Sequence, residues 1–408
     1  MNCRFCKTPL THEFIDLGES PPSNSYLLKE ELSEHENYFL LKLFVCENCF
    51  LVQIDEHKKA TEIFNKEYAY FSSFSTSWLA HAKAYTEMMV ARFHFNSKSQ
   101  IIEIASNDGY LLQYFKEKNI SVMGIEPTAN TAAVAKEKGI ESVIDYFGTS
   151  LAKKLITKNI YADLLLGNNV LAHVPNINDF VGGMKIILKK DGIITMEFPH
   201  LYQMVEQNQF DTIYHEHFSY LSFTTVRKIF AAQGLELFDV QEIPTHGGSL
   251  RIFAKHSENK NQPISDNVEK LLLKEKNAGM NEINYYKGFQ EKAIKVKNDL
   301  LKFLLEQKRN KKNIAAYGAA AKGNTLLNYC GIKNDLINFV VDASPHKQGK
   351  YMPASHIPIV NEAEIRNSKP DFIIILPWNI KDEIMKQLSY VKEWNCKFVI
   401  PIPAIEII

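Results

Sequence analysis

Two Cys-x-x-Cys pairs, Cys3/Cys6 and Cys46/Cys49, constrain the start of this chain more than any other feature. Each pair makes a small knuckle that offers two thiolates to one ion, and four thiolates in a tetrahedral array suit zinc. The 39 residues between Cys6 and Cys46 exceed the spacing of common zinc fingers, so a larger ribbon-like loop has to close over the metal. Four cysteine ligands leave no open position for water. The ion is therefore expected to be structural, contributing on the order of 10 kcal/mol to a small domain. His12, His35 and His57 are spare ligands that such a site does not need. The alternative is four unrelated buried or redox cysteines. Cys330 and Cys396 are single and far apart, and no secretory signal stands at the start, so a disulfide framework does not fit. No apolar run approaches the ~18–20 residues that cross a bilayer. The cytosol is the expected address.

The 47 basic and 47 acidic side chains cancel, which argues against holding a nucleic acid polymer or an anionic membrane by charge. A local basic pocket for one small anionic ligand remains compatible. With 45% hydrophobic residues and 408 positions, the chain is an ordinary globular one with room for two to four domains.

Beyond residue 60 the pattern changes. Residues 61–95 read as a helical lead-in, with aromatic residues at Tyr68, Tyr70, Phe71, Phe74 and Trp78 expected mostly to pack. From there to residue 256, apolar strand signals alternate with helices of about 10–15 residues, the pattern of a parallel, doubly wound sheet. Its last two strands, Leu235–Val240 and Ser249–Ala254, are separated by Pro244–Gly248. Residues 257–312 are lysine-rich. Asn267–Lys276 and Asn281–Gln307 read as solvent-facing amphipathic helices linking two halves. Residues 313–408 resume strand–helix alternation as a second, smaller α/β lobe.

In open parallel sheets ligands sit beyond the carboxyl ends of the strands, so those ends carry the information. Strand one ends in Glu103-Ile104-Ala105-Ser106-Asn107-Asp108-Gly109, strand two in Glu126, and the fourth in Gly167-Asn168-Asn169. A dinucleotide site wants G-x-G-x-x-G after strand one, and one glycine is present here. The series from Glu103 to Gly109 resembles the first motif of class I S-adenosylmethionine-dependent methyltransferases. That resemblance implies cofactor contacts from Glu103, Asn107, Asp108, Gly109, Asn168 and Asn169, with Glu126 on the ribose. The alternative is an α/β lobe that binds another nucleotide.

A second concentration of chemistry follows strand five, in Tyr214-His215-Glu216-His217-Phe218. A helical turn puts Tyr214 and His217 on one face, whereas a strand pairs His215 with His217. The functional reading is a histidine base, an orienting carboxylate at Glu216 and a phenol donor; one of the two histidines is expected to be structural. At the hairpin, Gly247-Gly248 either simply makes the turn, or His246 and Arg251 touch substrate or sheet-end carboxylates. In the second lobe, Gly318-Ala319-Ala320-Ala321-Lys322-Gly323-Asn324-Thr325 departs from both common phosphate-loop motifs. Its small residues still let a phosphate approach the backbone at a helix start, with Lys322 adding charge. Asp342 ends the next strand, where a ribose acceptor belongs.

As an ordered series, the cysteine pairs, the Glu103–Gly109 motif, the Tyr214–Phe218 cluster, His246-Gly247-Gly248-Ser249 and Gly318–Thr325 resemble the sugar C-methyltransferases of deoxysugar biosynthesis. The resemblance covers essentially the whole chain. It implies an α/β protein: a class I methyltransferase sheet flanked by a small zinc-binding domain and a Rossmann-like C-terminal domain. It also implies a nucleotide-linked 4-keto sugar as partner, methylated at a ring carbon, commonly carbon 3. His217 would be the base, with Tyr214, Glu216, His215, His246 and Arg251 near the sugar, and Tyr68 or Tyr70 joining them from the lead-in. Lys322 and Asn324 would serve the nucleotide's phosphates. An O- or N-methyltransferase and a non-catalytic cofactor-binding scaffold are the competing readings. A monomer or a homodimer is expected.

Overall fold

A computed structural model of the chain describes residues 1–56 and 71–408; Tyr68, Tyr70 and His57 lie outside the described residues. Among the described residues three sheets form. The first joins β1 (His12–Ser20), β2 (Phe39–Val45) and β3 (Val52–Ile54) in antiparallel register. Its fourth strand, β9 (Ser219–Tyr220), comes from the segment just after His217. Two matching knuckles stand at the end of this sheet. In each, the residue after the second cysteine takes a left-handed backbone, Lys7 at φ 65° and Phe50 at φ 63°. Its amide bonds back to the carbonyl of the first cysteine, Lys7 to Cys3 at 3.0 Å and Phe50 to Cys46 at 2.9 Å.

The central sheet holds β4 (Gln100–Ile104), β5 (Ser121–Ile125), β6 (Ser142–Val143), β7 (Ala162–Asn168), β8 (Leu188–Pro199), β10 (Leu235–Ile243) and β11 (Ser249–His256). Their spatial order is β10-β11-β8-β7-β4-β5-β6. β11 alone among them runs antiparallel to both its neighbours, so the last two strands form a hairpin across Pro244–Gly248. The inner strands are covered on both faces, which is why β4 and β7 read as nearly unbroken apolar runs. The chain order reverses at β4, flanked by β5 and β7, and that switch point opens the crevice for a ligand.

The third sheet, in order β14-β13-β12-β15-β16-β17, is β12 (Ile314–Tyr317), β13 (Val340–Val341), β14 (Ile359–Val360), β15 (Phe372–Ile375), β16 (Lys397–Ile400) and β17 (Glu406–Ile407). Only its edge strand β17 is antiparallel. The lysine-rich segment differs from expectation. It forms helices Asp266–Asn277, Ile283–Tyr286 and Phe289–Arg309, broken at Gly288, whose φ of 86° a side chain tolerates poorly. Nor is it merely solvent-facing. Phe289, Ala293, Val296, Leu300 and Leu304 make an i, i+4, i+7 stripe that is buried, and Phe289 stacks on Phe14 of β1 at 4.9 Å. The lysines occupy the outer face and hide this stripe in a composition count. No helix among the described residues is long and apolar enough to cross a membrane.

Candidate active site

A cavity of about 920 Å³ lies at the carboxyl ends of β4, β5 and β7. Its walls come from all three sheets' neighbourhoods: Asn24 and Tyr26, the strand ends with Asn168 and Asn169, the Tyr214–His217 loop, and Ala320–Lys322.

On the β4 side the backbone is tightly folded. Ala105, Asn107 and Gly109 all take left-handed conformations, at φ 57°, 49° and 75°. Two of these are not glycine, the kind of local strain that concentrates at ligand sites. A side chain at Gly109 would place its Cβ 2.7 Å from Ile140 Cδ1, so this glycine makes helix contact possible instead of touching a ligand. The Glu126 carboxylate accepts the Asn107 amide at 2.9 Å and the Thr128 amide at 2.8 Å, and the Thr128 hydroxyl as well. Burial still pushes its pKa up, against those donors. Asn168 borders the cavity, nine-tenths buried, and neither atom of its side-chain amide has a partner among the described residues. Such a group calls for a polar ligand. Ala105, Asn107, Tyr110, Glu126, Asn168 and Asn169 therefore fit the hydroxyls, base and amino-acid end of S-adenosylmethionine. Asp108 does not face it: its carboxylate receives the Ser73 amide at 3.3 Å and stands 3.4 Å from Lys138. Glu103 is likewise buried behind the lining, its pKa raised first by that burial, with the Tyr110 hydroxyl pulling it down.

The opposite wall holds the histidine cluster. The His217 amide bonds the Tyr214 carbonyl at 3.0 Å, so this stretch is a turn, and Tyr214 and His217 share a side. His217 Nδ1 donates to the Thr212 carbonyl at 3.0 Å, which leaves the Nε2 lone pair facing the Tyr214 hydroxyl at 2.9 Å. Burial, then the neighbouring His173, hold this imidazole neutral, its pKa well below the ordinary histidine value. The His173 ring lies 4.6 Å away, its Nδ1 on the Glu216 carbonyl at 2.8 Å; burial pushes its pKa down to about 4.

Several expected roles change. Glu216 does not orient His217; the Thr212 carbonyl does, and the Glu216 carboxylate accepts Asn24 Nδ2 at 2.6 Å. His215 borders the cavity, but its Nε2 reaches the carbonyls of Phe39 and Leu40 at 3.2 and 3.3 Å, tying the loop to β2. Arg251 meets a sheet-end carboxylate and does not border the cavity: its Nε donates to Glu197 at 2.7 Å and its plane covers Tyr85. Asn324, fully buried, donates to the Ser23 carbonyl. His246 and Lys322 do border the cavity. His246, in a left-handed conformation at φ 56°, stands 3.5 Å from Asn169, its pKa pushed down to about 4 by burial and by Lys322. The Lys322 ammonium bonds Asn379 at 2.6 Å and lies over Trp378 at 4.7 Å.

Sequence reasoning missed His173, Asn24, Tyr26 and Trp78, whereas Lys347, which the Pro345-His346-Lys347 stretch offers as an added basic group, does border the cavity. Trp78 borders the cavity from the helix Thr76–Phe93, stacked on His81 at 4.9 Å, which in turn meets Glu197 at 2.8 Å. His173 carried one usable signal, its place on the short helix Leu171–His173 that directly follows the β7 end.

At the knuckles, Cys3 and Cys49 sulfurs are 3.5 Å apart, as are Cys6 and Cys46, and all four lie within 4.8 Å of one another. Zn–S bonds of about 2.3 Å in a tetrahedron put sulfurs about 3.8 Å apart, so the four thiols fit one zinc ion.

This strand order, the Glu126 site and the cavity at the strand ends define an S-adenosylmethionine-dependent methyltransferase with a structural four-cysteine site. Residues 79–240 match the family model described as "Methyltransferase domain", residues 3–64 "Putative zinc binding domain" and residues 244–403 "C-methyltransferase C-terminal domain". Over 401 residues the chain is 30% identical to the C-methyltransferase NovU of Streptomyces niveus, covering 98% of this chain and 95% of that one. It belongs to this C-methyltransferase family. A ubiquinone biosynthesis O-methyltransferase of Bradyrhizobium sp. (strain ORS 278) is 29% identical over 115 residues, 26% of this chain and 44% of that protein. The structure of the PH0226 protein from Pyrococcus horikoshii OT3 aligns over 46% of this chain and 95% of its own, with 12% identity and a TM-score of 0.38.

Proposed function

We propose that the enzyme methylates a ring carbon beside the ketone of a nucleotide-linked 4-keto deoxysugar, carbon 3, through an enolate generated by His217. The observation that carries this reading is the Thr212–His217–Tyr214 array, a neutral imidazole whose Nε2 lone pair faces the cavity wall beside a phenol. A carbon next to a ketone is acidic enough for such a base. Nε2 takes the proton, and the C–H electron pair moves into the enolate. The Tyr214 hydroxyl, turned from Nε2 to the keto oxygen, stabilises the charge where it develops. Bound S-adenosylmethionine supplies an electrophilic methyl group. The protein's part is to hold the enolate carbon in line with that methyl, from Asn168 and Asn169 on one wall and the histidine loop on the other. On this reading residues 1–60 fold around zinc, 61–256 bind the cofactor, 257–312 link, and 313–408 hold the nucleotide. Ala320, Ala321 and Lys322 would then approach its phosphates.

The test is solvent exchange. With S-adenosylhomocysteine bound, the enzyme in deuterium oxide should wash deuterium into the carbon beside the ketone of a dTDP- or GDP-linked 4-keto-6-deoxy sugar. O- or N-methylation predicts no exchange, and its absence would refute the enolate.

A further inference from the structure

The segment that carries the base is fixed from the C-terminal lobe, residue by residue. Asp211, fully buried, accepts the Trp378 indole N–H on Oδ2 at 2.7 Å. The next residue, Thr212, supplies the carbonyl that holds His217 Nδ1. The Ile213 carbonyl then accepts the Thr325 hydroxyl at 2.7 Å, from the helix Ala321–Cys330 that begins at the cavity. Trp378 also packs under the His246 turn, since a Cβ on Gly247 would lie 2.4 Å from its ring. Its face carries the Lys322 ammonium. One indole thus touches the lysine of the proposed phosphate turn, the His246 turn and the carboxylate beside the base's anchor.

We propose that Asp211 is a positioning residue: the Trp378–Asp211 bond sets the backbone at Thr212, and through it the tautomer and aim of His217, so that the C-terminal lobe presets the proton-abstracting loop. The kinetic part rests on the C-methylation reading above. Asp211 touches no substrate in this account and acts through the Thr212 carbonyl. What matters is its acceptor oxygen in place, not its charge.

That distinction makes the test. Trp378→Phe and Asp211→Ala remove the bond, while Asp211→Asn keeps an acceptor of the same shape. Leaving the buried partner of this bond unsatisfied predicts a fall of about ten- to a hundredfold in kcat and in solvent exchange for the first two. KM for S-adenosylmethionine should stay within about twofold, and Asp211→Asn should retain activity within about threefold. In parallel, imidazole 15N NMR reads the tautomer directly, with His217 protonated at Nδ1 in wild type and mixed in Trp378→Phe. Asp211→Asn falling as far as Asp211→Ala overturns the positioning role. So does a His217 signal unchanged in Trp378→Phe. If wild type shows no exchange, the C-methylation reading fails instead, and the NMR result alone decides this one. Trp378→Phe carries the test should Asp211→Ala not fold.

Discussion

Removing zinc should disable the base some distance from the metal. The path runs through β3. Gln53, fully buried, donates to Cys3 Sγ at 3.3 Å and accepts the Arg4 amide at 2.8 Å. On the same strand, Val52 and Gln53 pair with Tyr220 and Ser219, and the Ile54 amide bonds the Phe218 carbonyl, next to His217. A four-cysteine zinc site contributes on the order of 10 kcal/mol, comparable to the whole stability of an ordinary domain at about 5–15 kcal/mol. Without the ion, the knuckles and the end of β3 should lose their fixed form. The loop then loses two or three strand hydrogen bonds, each worth about 1 kcal/mol net, so its ordering weakens by about 2–3 kcal/mol. That corresponds to about a 30- to 150-fold slower solvent exchange. Cofactor affinity should stay within about threefold, because Glu126, Asn107 and Asn168 sit on the ends of the central sheet. The assay is dialysis against a chelator under reducing conditions, with zinc by elemental analysis, S-adenosylhomocysteine binding by calorimetry and exchange by mass spectrometry. Metal-free protein exchanging at the wild-type rate would refute the path. Well under one zinc per purified chain would refute the site.

His217→Asn keeps an N–H donor toward the Thr212 carbonyl but lacks the Nε2 lone pair. It should therefore cut exchange by about 10²–10⁴-fold with cofactor binding intact, and full activity would sink the base assignment. Glu126→Gln removes a charged acceptor from the turn beside Asn107 and should weaken S-adenosylmethionine binding by about tenfold; an unchanged Kd in calorimetry would contradict its ribose role. Burial pushes the Asp211 carboxyl up to about 6, with Lys322 and Trp378 pulling it down, from an ordinary value of 3.8. The folded protein therefore holds a proton that the unfolded chain releases between those two values. Stability falls as pH rises from about 4 to 6, by about 3 kcal/mol from this group. Asp211→Asn should flatten that part of the curve of Tm against pH, and identical slopes in the two proteins would show the group does not titrate there.

The strand ends were legible because fully covered strands write unbroken apolar runs, and because a cofactor site at a switch point gathers polar residues at their ends. What escaped was anything that depends on register or rotation. Arg251 stands on β11 directly between Glu197 on β8 and Gln241 on β10. Those cross-strand neighbours exist only once the order β10-β11-β8 is known, so in the sequence the arginine looks available. Lys322 and Asn324 are two residues apart on a helix, about 200° around its axis. One faces the cavity and the other Ser23. The turn at Tyr214 separates His215 from His217 in the same way, and the pattern alone leaves a strand equally open. Trp78 and His81 sit one helical turn apart in a stretch rich in aromatic residues, and nothing in their spacing distinguishes a cavity wall from packing.

By sequence the His217 segment is an insertion between β8 and the helix Phe223–Ala232 of the methyltransferase sheet. By packing it is not part of that sheet's cores. Leu201, Met204, Phe210, Ile213, Phe218 and Tyr220 join one continuous core with β1–β3 and the C-terminal sheet. The two faces of the central sheet build separate clusters. The consequence is a division of labour imposed by packing density, since a dense core transmits displacement and does not absorb it. The cofactor wall takes its shape from the central sheet, against one face of which Cys3, Cys46, Cys49 and Leu51 also pack. The base wall takes its shape from the packing of β1–β3, the helix Phe289–Arg309 and the C-terminal lobe against one another. The flanking lobes thus set where the proton is taken, while the central sheet sets where the methyl group waits, and the cavity between them is the place where those two frames of reference meet.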